Sequence, residues 1–172
     1  METINRSALL VMHVYNDYAN QLVLDTASKM SPEELATNSS PSHGSVRELL
    51  LHIVLCEFGF ILRCKGIPLD SINEDFEKLT FQGLRALYDK IAVMRKDYLD
   101  QVTEKELNEV VSIRIADHPL NLTRWQMLAQ ALIHSTHHRG ELSIVMTGLG
   151  YPLPTLDPVI QFVCESGQDW PL

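Results

Sequence analysis

The sequence predicts an all-α fold: a four-helix bundle with an ordered crossover before the fourth helix and a short C-terminal helix packed against it. Three observations carry this expectation. Four long stretches repeat apolar residues at helical spacing, most are bounded by capping or stop residues, and no alternating run is long enough for a sizeable sheet. With 172 residues, 45% of them apolar and 21% charged, the chain reads as one domain spanning residues 1–172.

The first helix is expected from about Ile4 to Ser28, a stretch free of Gly and Pro with Leu9, Met12, Ala19, Leu22, Val23 and Thr26 at helical spacings. It ends before Ser31-Pro32. The second opens at Ser45, where Ser-x-x-Glu48 forms a capping-box pattern, and runs to about Lys65, before Gly66. The third, from about Glu74 to Val102, aligns Phe81, Leu84, Leu87, Tyr88, Ile91, Met94 and Tyr98, with Gly83 a local weakness. The fourth starts at the Thr123-x-x-Gln126 box and continues to about Thr147, with Gly148 and Gly150 as stops and Pro152 beyond. Between them, Asn108 to Leu122 contains VVSIRI, suited to a short extended piece in an ordered crossover, and Asp117-His118-Pro119 turns the chain. Asp157-Pro158 then resembles an N-cap and first helical proline, so VIQFVCES forms the short C-terminal helix.

Composition removes several function classes. A net charge of −8 with scattered Lys and Arg lacks the positive surface that displaces counterions from nucleic acid. No apolar run of about 18 residues is present to span a membrane, and METINRSALL has no basic and apolar export pattern. The expectation is a cytoplasmic protein. Cys56, Cys64 and Cys164 have no finger-like spacing and suit reduced thiols.

The fourth helix carries the chemistry. Relative to His138, the residues Met127, Ala131, His134, Leu142, Val145 and Leu149 fall within roughly 40° of one line, so two imidazoles interrupt an apolar stripe. A buried polar ring without a partner costs about 1–3 kcal/mol, so both rings need one. The i, i+4 spacing lets His134 and His138 aim at one ion, though hydrogen-bonded core histidines account for this motif alone equally well. His52 on the second helix, with Leu49, Leu55, Cys56 and Gly59 on its side, faces the bundle axis on this reading and supplies a third nitrogen. Three neutral ligands leave a coordination position open, as in catalytic rather than structural sites, and zinc, nickel, copper or ferrous iron would suit them.

The segments His134-Ser-Thr-His137-His138-Arg139-Gly140, Leu50-Leu51-His52-Ile53 and Tyr15-Asn16-Asp17-Tyr18-Ala19-Asn20 resemble the DinB-like family, a damage-inducible and thiol-transferase-like bundle family. The resemblance spans most of the chain and includes its closing Gly148-Leu-Gly-Tyr-Pro-Leu-Pro-Thr-Leu-Asp157. It implies a four-helix bundle holding one divalent metal on His52, His134 and His138, a homodimer, and thiol S-transfer with a low-molecular-weight thiol. Trp125, Tyr151 and Trp170 near helix ends also offer apolar surface for pairing. His137 lies about 100° off the ligand stripe and stays outside the site. Glu141 stands where the family commonly has glutamine, and Tyr18 where it has tryptophan. Glu141, roughly 60° from His138, either tunes the metal or is a surface carboxylate.

Asn16 and Asn20 share a helix face and serve either a ligand or interhelical hydrogen bonds. Cys56, one turn after His52, either approaches the metal or packs as a small apolar residue. His13, His43 and His118 share no spacing and receive no role. Arg139 reads as a surface or interface side chain, and Gly140 as a close helix contact. No paired inward carboxylates or general base can be assigned. The favoured function is a metal-dependent enzyme acting on a small molecule or thiol, zinc or nickel being the foremost metals. The alternative is a non-enzymatic metal-binding or stress-response module. A di-iron bundle would require Glu-x-x-His pairs, and the sequence has none.

Overall fold

The computed structural model describes residues 4–115 and 118–168. Helix α1 (Arg6–Ala27) is started by Asn5, whose side chain accepts from the amides of Ser7 and Ala8. A short α2 (Pro32–Leu35) and a small hairpin, β1 (Asn38–Ser40) with β2 (Gly44–Ser45), lead to α3 (Val46–Cys64). Helix α4 (Phe81–Gln101), α5 (Glu104–Asn108), hairpin β3 (Val110–Ile115) with β4 (His118–Thr123), α6 (Arg124–Gly148) and α7 (Pro158–Glu165) complete the chain. Helices α4 and α6 each pack between α1 and α3, closing a ring of four around the core. Leu9, Val23, Leu49, Ile91, Met127 and Leu142 fill that core.

The bundle and the C-terminal helix follow the sequence reading, with four local corrections. The third long helix begins at Phe81 rather than near Glu74, because the Thr80 side chain accepts from the Gly83 amide and fixes the start; residues 69–71 and 76–78 form single 3-10 turns. The crossover holds a two-stranded hairpin rather than one extended piece, in register from Val110↔Thr123 to Ile115↔His118. Of its expected turn, Asp117 lies outside the described residues. Gly148 remains helical, and the left-handed stop is Gly150 at φ +88°. Met12 is 42% exposed and stands outside the core.

Across the bundle axis the packing is polar. Glu57 on α3 is 1% exposed and Arg95 on α4 is 2% exposed, and the two form an ion pair. Glu57 Oε1 accepts from Asn16 Nδ2 and Asn20 Nδ2, both at 2.8 Å, and from Ser135 Oγ at 2.6 Å. Arg139, read from sequence as a surface side chain, is buried and donates from Nη1 to Oδ1 of both asparagines at 2.7 Å. Asn16 and Asn20 are thereby fully engaged in interhelical bonds. Arg95 also pairs with Asp17, which accepts from the Tyr88 hydroxyl at 2.8 Å. Glu57 is thus an inward carboxylate that the sequence reading does not single out, held by Arg95 and not by a second carboxylate. Burial pushes the Glu57 carboxyl up, but Arg95, Ser135 and Asn16 outweigh it and hold its pKa below the usual range.

Removing one partner of a buried ion pair leaves an uncompensated charge, so Arg95→Met should lower stability by about 3–5 kcal/mol in urea denaturation. Adding Glu57→Gln to that variant should recover part of the loss. If it recovers none, the stranded carboxylate is not the cause of the destabilisation.

Candidate metal centre

Helices α3 and α6 lie side by side, which brings their histidines together. His52 Nε2 and His134 Nε2 are 2.9 Å apart. Ring centroids are separated by 4.8 Å for His52–His134, 4.8 Å for His52–His138 and 4.5 Å for His134–His138. The rings of all three residues proposed from sequence are thus neighbours, but the histidines whose ligand atoms all lie within 4.8 Å of one another are His43, His52 and His138, without His134. His52 is only half-buried and lines a cavity rather than facing the bundle axis, which Glu57 occupies. His137 is exposed, its ring touching only the outer side of the cluster at 5.1 Å from His138.

A fourth imidazole joins them. His43, given no role from sequence, stacks 3.9 Å from His52 and lies 5.1 Å from His138. His43, His52 and His138 each offer a ligand atom within 4.8 Å of the others'. His43 arrives on the turn between β1 and β2, a strap clasped by Glu141 of α6. Glu141 accepts from Ser40 Oγ at 2.5 Å, from the Ser42 amide at 3.2 Å and from Ser42 Oγ at 2.6 Å. Gly44 leaves this turn at φ +81°, in a conformation that favours glycine. The available signal for His43 was its position just before Ser45, the cap of the helix that carries His52.

The donor set fits a divalent ion. Four imidazoles converge, and the buried Nδ1 atoms of His134 and His138 have no hydrogen-bond partner in the protein. Burial, reinforced by neighbouring imidazoles, lowers the pKa of His52 and of His134 to about 4, and burial with His43 and His137 lowers that of His138. Burial thus favours, for His52, His134 and His138, the neutral form that metals require. Burial pushes the Glu141 carboxyl up, but hydrogen bonds from Ser40 and Ser42 outweigh it and hold it at about 2. Glu141 is therefore an ionised clasp whose Oε2 lies 3.6 Å from His138 Nδ1.

Several other residues settle into packing. The Cys56 thiol is pushed up to about 12 by burial and Glu57, so it is a neutral wall beside His52. A Cβ placed on Gly140 would meet nothing within 4 Å, so this glycine makes no close helix contact. Cys56, Cys64 and Cys164 are free thiols. Leu55, Cys56, Phe58, Phe76 and Ile115 line a cavity of about 470 Å³ that opens on His52.

Comparison with known proteins places this geometry in context. The sequence signature of the DinB family matches residues 1–164. A DinB-like protein from Bacillus subtilis shares the fold with a TM-score of 0.64 at 22% identity, over 85% of this chain and 97% of its own. A conserved protein from Enterococcus faecalis gives 0.62 at 20% identity, over 78% and 92%. A DinB-like protein from Bacillus cereus gives 0.58 at 20% identity, over 83% and 91%. No curated protein matches the chain.

The lowered histidine pKa values set a sign for acid. An unfolded histidine titrates near 6.5, so between about 6.5 and 4 the unfolded chain binds protons that His52 and His134 refuse. Buried His13, held at about 3 by burial and Arg95, adds to the effect. Chelator-treated protein should therefore keep a constant melting temperature above pH 6.5 and lose it progressively as pH falls toward 4. His52→Gln with His134→Gln should make that slope shallower, and an unchanged slope would exclude these rings as its source.

Proposed function

The chain belongs to the DinB family, and from that premise we propose that it is a divalent-metal protein whose histidine centre serves thiol S-transfer to a small-molecule substrate. The observation that carries the reading is the convergence of His52, His134 and His138 from two helices beside a cavity of about 470 Å³. These residues would hold the ion, zinc or nickel first, with iron or copper chemically compatible. When bound, the metal supplies Lewis acidity, lowering the pKa of a coordinated thiol so that it is nucleophilic near neutral pH.

This chain's own residues do the rest. Leu55, Phe58, Phe76 and Ile115 give the cavity an apolar lining that takes up a substrate body and keeps water from the reacting end. Ser135, bonded to Glu57, fixes the rotation of α6 that presents its neighbour His134 to the site. Cys56 stays a protonated wall and leaves nucleophilic chemistry to the incoming thiol. A second reading, a non-enzymatic metal-binding module, is favoured by the fourth imidazole of His43, which crowds the position an exchangeable ligand would need. The proposal includes a cytoplasmic home, supported by three free thiols; among the described residues no helix is long and apolar enough to cross a membrane.

Pairing of two copies is part of the same proposal. Val14 on α1 and Val93 on α4, 43% and 60% exposed, border a shared apolar groove, with Val11 exposed nearby. Trp125 and Tyr151 are half-buried in the core margin, and Trp170 lies outside the described residues. Light scattering at micromolar concentration should return twice the chain mass, and Val93→Glu should halve it. A monomeric wild type removes the dimer without touching the metal centre.

The metal itself is tested by titrating tag-free protein with zinc and nickel. Each of His52→Ala, His134→Ala and His138→Ala should abolish most stoichiometric binding, whereas His137→Ala should not. Metal bound only to the folded state adds about 2.7 kcal/mol at a hundredfold excess over Kd, so wild type should melt higher with metal than with chelator. A screen of low-molecular-weight thiols against electrophilic substrates then separates enzyme from module. Absence of metal binding above background would overturn both readings.

A further inference from the structure

The hydrogen bonds around the β1–β2 strap determine which nitrogen of His43 is free. Ser42 Oγ lies 2.6 Å from Glu141 Oε2 and 2.6 Å from His43 Nδ1. A carboxylate only accepts, so the single hydroxyl hydrogen of Ser42 goes to Glu141. The hydroxyl oxygen then accepts from His43, which places that ring's proton on Nδ1 and leaves Nε2 with a bare lone pair. A carboxylate-backed Nδ1–H with a free Nε2 is the outer-shell arrangement that orients metal-binding imidazoles. Here the support reaches Glu141 through one hydroxyl.

The same clasp fixes where the ring sits. The His43 amide donates to Ser40 Oγ at 3.1 Å, and Ser40 Oγ donates in turn to Glu141 Oε1 at 2.5 Å. Both serines and the histidine are therefore tied to one carboxylate on α6, one turn beyond His138. The ring so held stacks on His52 at 3.9 Å and shares a ligand-atom set with His52 and His138, all within 4.8 Å. Five hydrogen bonds hold this strap to Glu141 and fix its imidazole against His52 and His138.

We propose that His43 is a further ligand of the metal centre, delivered by the β1–β2 strap and oriented through Ser42 by Glu141. The inference rests on the metal-centre reading and holds whether or not the centre is catalytic. It makes the donor set four imidazoles from three segments of chain, and gives Glu141 the task of positioning His43.

Cobalt(II) is the probe, because its visible absorption reports the number and type of ligands without any need for turnover. Full-length wild type and His43→Ala are titrated with cobalt(II) and their spectra compared, with circular dichroism confirming the fold. His43→Ala should bind at least tenfold more weakly with a shifted visible spectrum, and millimolar free imidazole should restore the wild-type spectrum. Ser42→Ala, which keeps the imidazole but cuts its support, should weaken binding less than His43→Ala while retaining the wild-type band positions. Normal wild-type binding with an unchanged affinity and spectrum in His43→Ala overturns this inference alone. Failure of wild type to bind cobalt(II), zinc or nickel overturns it together with the metal-centre reading.

Discussion

A carboxylate with almost no access to water stands at the middle of this bundle, and the fold is arranged around satisfying it. An unpaired buried charge is costly enough to unfold a domain of this size, so Glu57 obliges each of the other three long helices to contribute a partner. Helix α1 supplies Asn16 and Asn20, α4 supplies Arg95, and α6 supplies Ser135. Arg139 then satisfies the asparagine oxygens that face away from Glu57. Apolar packing would allow these helices to rotate or slide by small amounts. A lattice of directional bonds does not, and this is the sense in which a buried polar network specifies one arrangement.

The histidine cluster inherits that precision through helix periodicity. Ser135 and Arg139 are four residues apart and point to the axis, while His134 and His138 precede each by one residue and so face about 100° away. Fixing the first pair fixes the second. The centre also carries an electrostatic demand, because imidazoles packed within 5 Å of one another repel when protonated. Burial and mutual repulsion resolve this by keeping His52 and His134 neutral well below the usual histidine range. The cluster thus concentrates nitrogen lone pairs, the kind of donor set a divalent cation takes.

The sequence revealed what local periodicity encodes and missed what long-range pairing encodes. The four helices and the paired His134 and His138 were legible because both obey helical spacing. His52 was legible only because the resemblance and its helix placed it opposite them. Glu57 gave no signal, since its partners lie between 37 and 78 residues away and a glutamate in an apolar helix looks like an ordinary solvated residue. Arg139 was misjudged for the same reason: its partners on α1 are 119 and 123 residues distant. The start of α4 was placed early because Phe76 and Leu79 still pack against the core from 3-10 and extended backbone, continuing the apolar pattern without continuing the helix. His43 lies on a turn, where no periodicity exists to read.

The turns themselves follow from the order in which the helices meet. Since α4 and α6 each lie between α1 and α3, the chain must cross a diagonal of the bundle from α1 to α3 and again from α4 to α6. Neither crossing can be a tight turn, so each carries inserted structure. The first insert, α2 with the β1–β2 hairpin, passes over the histidines and delivers His43. The second, α5 with the β3–β4 hairpin, brings Ile115 to the cavity beside His52, and the 3-10 segment between α3 and α4 closes it with Leu69, Ile72 and Phe76. The helices alone would leave three histidines on an open face. Connections that the topology requires anyway wall that face with an open cavity on one side and set a fourth imidazole against it, so the surroundings of the histidines are set by the loops as much as by the core.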